Sequence, residues 1–190
     1  GVGLLEPKSA PIDKACGEGL MPSALERLVE LGIDPDALPG HEFRGIRYCD
    51  AVDADLSAQA DFPGGVGRGV RRVVLHERLS DRLRELDVAR IPRRVSTVSQ
   101  DSSGVTAAGL RARYLVAADG LHSTVRDSLG LTTAKRRRSR YGIRRHFRAK
   151  PWTSRVEVHW ADDAEAYVTP VGADLVGVAM LFHGQGRFDP

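Results

Sequence analysis

The sequence predicts an α/β layer joined to a mostly antiparallel sheet, and three observations carry that expectation. Two stretches, around residues 21–32 and 70–86, repeat apolar side chains at helical spacing. Four long runs after residue 140 alternate apolar and polar side chains as half-exposed strands do. Between these patterns lies YLVAADGLHSTVR, Tyr114 to Arg126, an apolar run that ends in Asp-Gly and passes at once into a short helical segment.

The elements follow in order. VGLLEP reads as a short buried-type strand, ended by Pro7 and the turn-rich PKSAP. MPSALERLVELG puts Pro22 in a first helical turn, sets Leu25, Leu28 and Val29 on one face and stops at Gly32. FRGIRYCDAV and ADLSAQADF suit a pair of half-exposed strands, followed by the glycine-rich PGGVGRG. In VRRVVLHERLSDRLREL, Leu75, Leu79, Leu83 and Leu86 recur at intervals of four, four and three, the stripe of an amphipathic surface helix. RRVSTVSQ, GVTAAG and RARYLVAADG are strand-like, and the first two pair as a hairpin. Leu115 to Ala118, apolar without alternation, reads as a strand covered on both faces. Ser123 to Leu129 is a short helix closed by Gly130, and YGIRRHFRA, VEVHW, EAYVTPV and LVGVAMLF are the closing strands.

The 190 residues are 42% hydrophobic and 28% charged, the composition of a globular chain with a sizeable core. A formal charge of +3, from 28 basic and 25 acidic residues, is too small a bias to imply a polyanionic partner. Cys16 and Cys49 match no metal-ligand or disulfide spacing, which fits a reducing, cytoplasmic setting and no bound metal. The apolar run Leu175 to Phe182 is far short of the ~20 residues that cross a bilayer, so no transmembrane segment is expected.

The chemistry gathers at Asp119 and Gly120, which end the apolar run at the edge where open α/β sheets receive ligands. Gly120 permits positive φ or close backbone approach, and Ser123 is placed to cap the next helix. The amides of that helix start would favour a phosphate. Taken together, Asp119, Gly120, Ser123 and Arg126 resemble the second FAD fingerprint of the flavoprotein monooxygenases with the para-hydroxybenzoate hydroxylase fold. Three other stretches agree in order. LLEP resembles the second strand of that family's Rossmann unit, whose terminal acid, here Glu6, holds the adenosine ribose. IDKACGEGL, with Lys14 and Cys16, resembles the loop that passes the flavin, and is similar to a segment of the geranylgeranyl reductases. RRVVLHERL resembles the Arg-x-x-Leu start of the family's second major helix, which makes Arg72 a candidate FAD contact.

The first fingerprint of the family, GxGxxG, is absent. Gly1, Gly3 and Glu6 imitate its spacing until an acid replaces the third glycine, and Gly65, Gly67 and Gly69 fail at Val70. The third fingerprint, a Gly-Asp, is also absent. The chain therefore reads as an internal piece of a longer protein, one that binds flavin weakly or not at all by itself. The resemblance divides it into a partial Rossmann-like FAD-binding layer, residues 1–42 and 63–134, and a partial substrate-binding β-sheet, residues 43–62 and 135–190.

The resemblance implies FAD as cofactor, held by Glu6, Lys14, Arg72, Asp119 and Gly120, and NAD(P)H as reductant. Lys14 offers charge to the diphosphate, and Cys16 is a small residue packed near the ring. A cation such as Arg72 at a helix start opposes the dipole unless an anion is near. The implied reaction is chiefly monooxygenation of a small apolar or aromatic organic substrate, with prenyl reduction as the runner-up and halogenation behind it. Trp152, Trp160, Tyr167 and Phe182 are candidates to line the substrate face. No catalytic acid or base is visible, since a flavin performs the difficult step. His122, His146 and His159 have no carboxylate or serine at a telling spacing. The run Lys135 to Arg148, with eight lysines and arginines, motivates a rival reading as a basic nucleic-acid-binding module. No recognition helix or RNA-binding motif accompanies it, so no nucleic-acid partner is expected.

Overall fold

The computed structural model describes residues 1–53, 55–132 and 140–183. In chain order the elements are β1 (Gly3–Leu5), β2 (Gly19–Leu20), α1 (Pro22–Glu30), β3 (His41–Phe43), β4 (Gly45–Asp50), β5 (Ser57–Asp61), β6 (Gly67–Gly69) and α2 (Arg72–Glu85). There follow β7 (Ala89–Ile91), β8 (Val98–Asp101), β9 (Gly104–Ala107), β10 (Leu110–Ala112) and α3 (Thr124–Ser128). The long strands β11 (Arg140–Arg148), β12 (Val156–Trp160), β13 (Ala164–Gly172) and β14 (Leu175–His183) complete the order. Among the described residues no helix is long and apolar enough to cross a membrane.

The chain divides into two compact units, Gly1–Ser9 with Arg84–Arg137 and Ala10–Leu83 with Arg138–Pro190. In the first, β1 and β7 pair in parallel, and β8, β9 and β10 form an antiparallel meander in which Val98 faces Ala107. The expected hairpin is present. Two other expectations are corrected. β1 is not buried, with Val2 76% and Leu4 36% exposed, because β7 is its sole ladder partner among the described residues. Leu115 to Ala118 is not a covered strand. That segment has no ladder partner among the described residues, and Tyr114 and Val116 lie more than four-fifths exposed.

The second unit is built on a six-stranded sheet of order β11-β14-β13-β12-β4-β5. Its neighbours are antiparallel except β12 and β4, which run parallel with Val156 beside Ile46. The alternating closing runs and the earlier strand pair thus share one sheet, as neighbours that satisfy each other's backbone groups. A small sheet, β2-β6-β3, lies in the same unit. Its centre is the glycine-rich run that fails as a fingerprint. A Cβ at Gly69 would land on the Pro170 carbonyl oxygen, so the glycine serves the close approach of β6 to β13.

Two apolar clusters anchor this unit. Leu28, Ile33, Leu38 and Val70 are buried with Leu20, Leu25, Val74, Leu75 and Leu79 against them, which joins the apolar faces of α1 and α2. The predicted faces shrink at their edges, since Val29 is 60% exposed and Leu86 lies beyond α2 and is 55% exposed. Phe43, Val156 and Val158 form the second cluster with Met21, Ile46, Phe62 and Tyr167, and Phe43 meets Phe62 edge-on at 5.8 Å.

Candidate cofactor and substrate site

The Asp-Gly turn of the first unit is organised by its own side chains. Ser123 is the N-cap of α3, its Oγ accepting the Arg126 amide at 3.0 Å, as the sequence predicts. The same hydroxyl donates to Asp119 Oδ1 at 2.5 Å, while Asp119 Oδ2 accepts the Val125 amide at 3.2 Å. The Ser123 hydroxyl, and then the Val125 amide, hold the Asp119 carboxyl below the usual carboxylate range. Two helix-start amides expected to favour a phosphate are therefore occupied by protein acceptors. Arg126 is also used locally, one guanidinium nitrogen donating to Leu121 O at 2.8 Å.

Gly120 keeps the freedom expected of it. Its φ is +82°, and a Cβ built there would meet nothing within 4 Å. Beside it opens a recess of about 420 Å³ lined by Ala118, Asp119, Gly120, Ser123, Arg126 and Leu129. Glu6 follows β1, continuing the ladder through its amide to Ile91 O at 3.1 Å, while its Oε1 accepts the Lys8 amide at 2.9 Å.

In the second unit the loop before β2 carries Lys14, exposed, and Cys16, half-buried. It also carries a residue that sequence reasoning missed. Glu18 has a side chain 1% exposed, and its Oε1 accepts both the Arg72 amide at 2.7 Å and an Arg144 guanidinium nitrogen at 2.5 Å. Its Oε2 lies 2.6 Å from His146 Nε2. Arg144 reaches on to Asp13 at 2.8 Å and holds that carboxyl below its usual range. His146 does have a carboxylate partner, 128 positions away in sequence, which no local spacing could reveal. A signal was present nonetheless: an acid set between Gly17 and Gly19 is an unusual place to leave a charge.

The described part of the basic run is mixed, with Arg145 and Arg148 exposed and two other arginines held in ion pairs. Arg144 is only 9% exposed and lies in ion pairs, and Arg140 pairs with Glu165. Lys135 to Ser139 lie outside the described residues.

Arg72 is the first residue of α2, and its Nε is buried without a hydrogen-bond partner among the described residues. A buried donor without an acceptor is costly, so the half-buried Arg72 is compatible with an anionic ligand, although Arg144, which is already ion-paired, leaves its Nε in the same state.

Strand register sorts the sheet into two faces, because cross-strand partners share a side. Tyr48, Val158, Tyr167, Ala179 and Arg144 form one row, and Trp160, Glu165, Leu181 and Gly142 the next on the same face. The Asp13–Gly19 loop lies against this face. Thr169 Oγ1 donates to Gly17 O at 2.7 Å, and a Cβ on Gly142 would sit 3.7 Å from the Ala15 methyl. The four expected aromatics do not gather. Trp160 and Tyr167 belong to the loop face, whereas Phe182 packs with Tyr141 on the other, at 6.1 Å between ring centroids. Trp152 precedes β12 and donates its indole hydrogen to Glu157, also of the far face.

A sequence profile for a family described as FAD binding domain matches residues 13–173. A flavoprotein/dehydrogenase from Cytophaga hutchinsonii superposes with a TM-score of 0.76 at 16% identity, over 96% of this chain and 50% of that one. PqsL from Pseudomonas aeruginosa, described as a probable FAD-dependent monooxygenase, gives 0.73 at 18% identity over 94% and 53%. HpxO from Klebsiella pneumoniae, solved with FAD and uric acid, gives 0.68 at 19% over 95% and 50%. The chain spans about half the length of these solved relatives, and the fold it shares with them is the expected α/β layer with a sheet.

Proposed function

Because the chain belongs to the FAD-binding domain family, we propose that the protein is an FAD- and NAD(P)H-dependent oxidoreductase, a monooxygenase acting on a small organic substrate. The observation that carries the reading is Arg72, a half-buried arginine at the start of α2 whose buried Nε has no partner among the described residues, within the stretch that the family profile matches. FAD, when bound, would supply the redox chemistry between NAD(P)H and O₂.

This chain's own residues bind, orient and exclude. In this reading Arg72 and Lys14 meet the diphosphate charge, and Glu6 accepts hydrogen bonds from the ribose hydroxyls. Asp119 keeps its carboxylate within the turn and thereby shapes it, so that Gly120 can let the backbone come close to the ligand. The loop face of the sheet, with Trp160 and Tyr167, is assigned to the substrate. Half-exposed Trp160 and Tyr48 offer flat apolar area there, which favours a planar aromatic compound. The Klebsiella relative, solved with uric acid, supports a small organic substrate of that size. The cytoplasm is the proposed setting, where the free thiols of Cys16 and Cys49 stay reduced.

The test is to purify the full-length protein, identify what it carries and follow NADH and NADPH oxidation together with O₂ uptake across a panel of aromatic compounds. Bound FAD and substrate-stimulated uptake of O₂ are expected. FAD with NAD(P)H oxidation but a reduced alkene as product would move the assignment to the prenyl reductases. Protein that takes up no flavin on reconstitution would overturn the reading.

A further inference from the structure

Glu18 occupies a crossing that the cofactor assignment does not use. Its φ is +58°, in the left-handed region that residues with a side chain avoid. Such a conformation persists where the surroundings over-determine it. Here they do: the carboxylate binds the Arg72 amide, Arg144 and His146, and the Glu18 carbonyl accepts the Val70 amide at 2.9 Å. Three elements meet on one residue, namely the end of β6, the start of α2 and strand β11. α2 has no acidic residue in its first turn, so Glu18 supplies from a distance the negative charge that a helix N-terminus favours.

We propose that Glu18 is a positioning residue for the cofactor: it fixes Arg72 at the start of α2 and ties the Asp13–Gly19 loop to β11. The orphaned Nε of Arg72 and the loop face of the sheet then keep one relative geometry. The network is suited to this because both carboxylate oxygens are engaged and Arg144 is itself clamped on its far side by Asp13. A carboxylate with both oxygens bound has no alternative orientation of equal energy, and neither does the amide it holds. The inference rests on the FAD reading given above.

The experiment uses the full-length protein as wild type, Glu18→Gln, Glu18→Ala and the exposed-carboxylate control Glu30→Gln. Hydrogen exchange is measured on the apoproteins for peptides covering residues 10–20 and 70–76, and FAD affinity is measured by titration well below the unfolding temperature. Exchange in both peptides should rise at least about tenfold in Glu18→Ala, and the Kd for FAD should weaken by about tenfold or more. Glu18→Gln keeps an acceptor for the Arg72 amide but loses the charge facing Arg144, so it should fall between wild type and Glu18→Ala on both measures. If Glu18→Ala does not fold, Glu18→Gln decides by the same two readouts. Faster exchange with an unchanged Kd would show a structural role only and overturn the inference, as would variants matching Glu30→Gln on both measures. Wild-type protein that binds no FAD overturns the cofactor assignment first, and this inference with it.

Discussion

Two carboxylates hold helix starts in this molecule, and they do so in opposite settings. Asp119 braces the Ser123-capped start of α3 from within the same turn, its acceptors facing amides and hydroxyls 4 to 6 residues away, in an exposed position. Glu18 serves α2 from 54 residues upstream and is buried against strand β11. Water and salt screen the first arrangement, whereas the second works where a lost partner leaves a desolvated charge behind. A local cap thus shapes a turn, and a remote buried one binds separate elements together. Predictions that separate the two should differ in size accordingly.

The largest effect is expected at Glu18. Glu18→Ala strips Arg144 and His146 of a buried partner and should cost about 3–5 kcal/mol, read by chemical denaturation. A loss below about 1 kcal/mol, the range of surface pairs, would erase the contrast between the two sites. Next comes Gly120→Ala. No steric neighbour opposes the methyl, so the cost is conformational alone, about 1–2 kcal/mol for a side chain at φ +82°. The same substitution should weaken FAD binding by more than its effect on stability would suggest, because the proposed role of Gly120 is close approach.

Ser123→Ala removes the α3 cap and should cost about 1 kcal/mol. The smallest effect is a matter of pH. Asp119 has a folded-state pKa below its unfolded value of about 3.9, so its contribution is fully present above that pH and disappears as pH falls through the lower folded value. The Val125 amide shift, followed by NMR from pH 6 to 2, should report that low midpoint. In Ser123→Ala the midpoint should move up toward the ordinary carboxylate range, because the largest cause of the depression is gone. An unmoved midpoint would assign the depression to the backbone amides alone.

The same contrast explains what could be read from the sequence. Ser123, Asp119 and Gly120 were legible because a cap and a turn are written within a few residues, and the four closing strands because alternation is local. Leu115 to Ala118 misled for the converse reason. Apolar character reports what a segment can bury, and its burial depends on neighbours that no pattern within the run specifies. Beyond the odd setting of an acid between two glycines, the role of Glu18 was illegible because its partners on β11 lie 126 and 128 positions away, within a basic run whose charge suggested solvent. Arg72 falls between these cases. Its place before an amphipathic helix was readable, but the orphaned Nε exists only once the chain is folded.

If the diphosphate of FAD completes half-buried Arg72, its buried Nε gains an acceptor on binding, and a titration of full-length wild-type and Arg72→Gln protein with FAD reads this out. One FAD per wild-type chain is expected, with an affinity at least about tenfold weaker in Arg72→Gln and the unfolding temperature of the apoprotein unchanged or raised by loss of an unpaired buried donor. Equal affinities for the two proteins would contradict it.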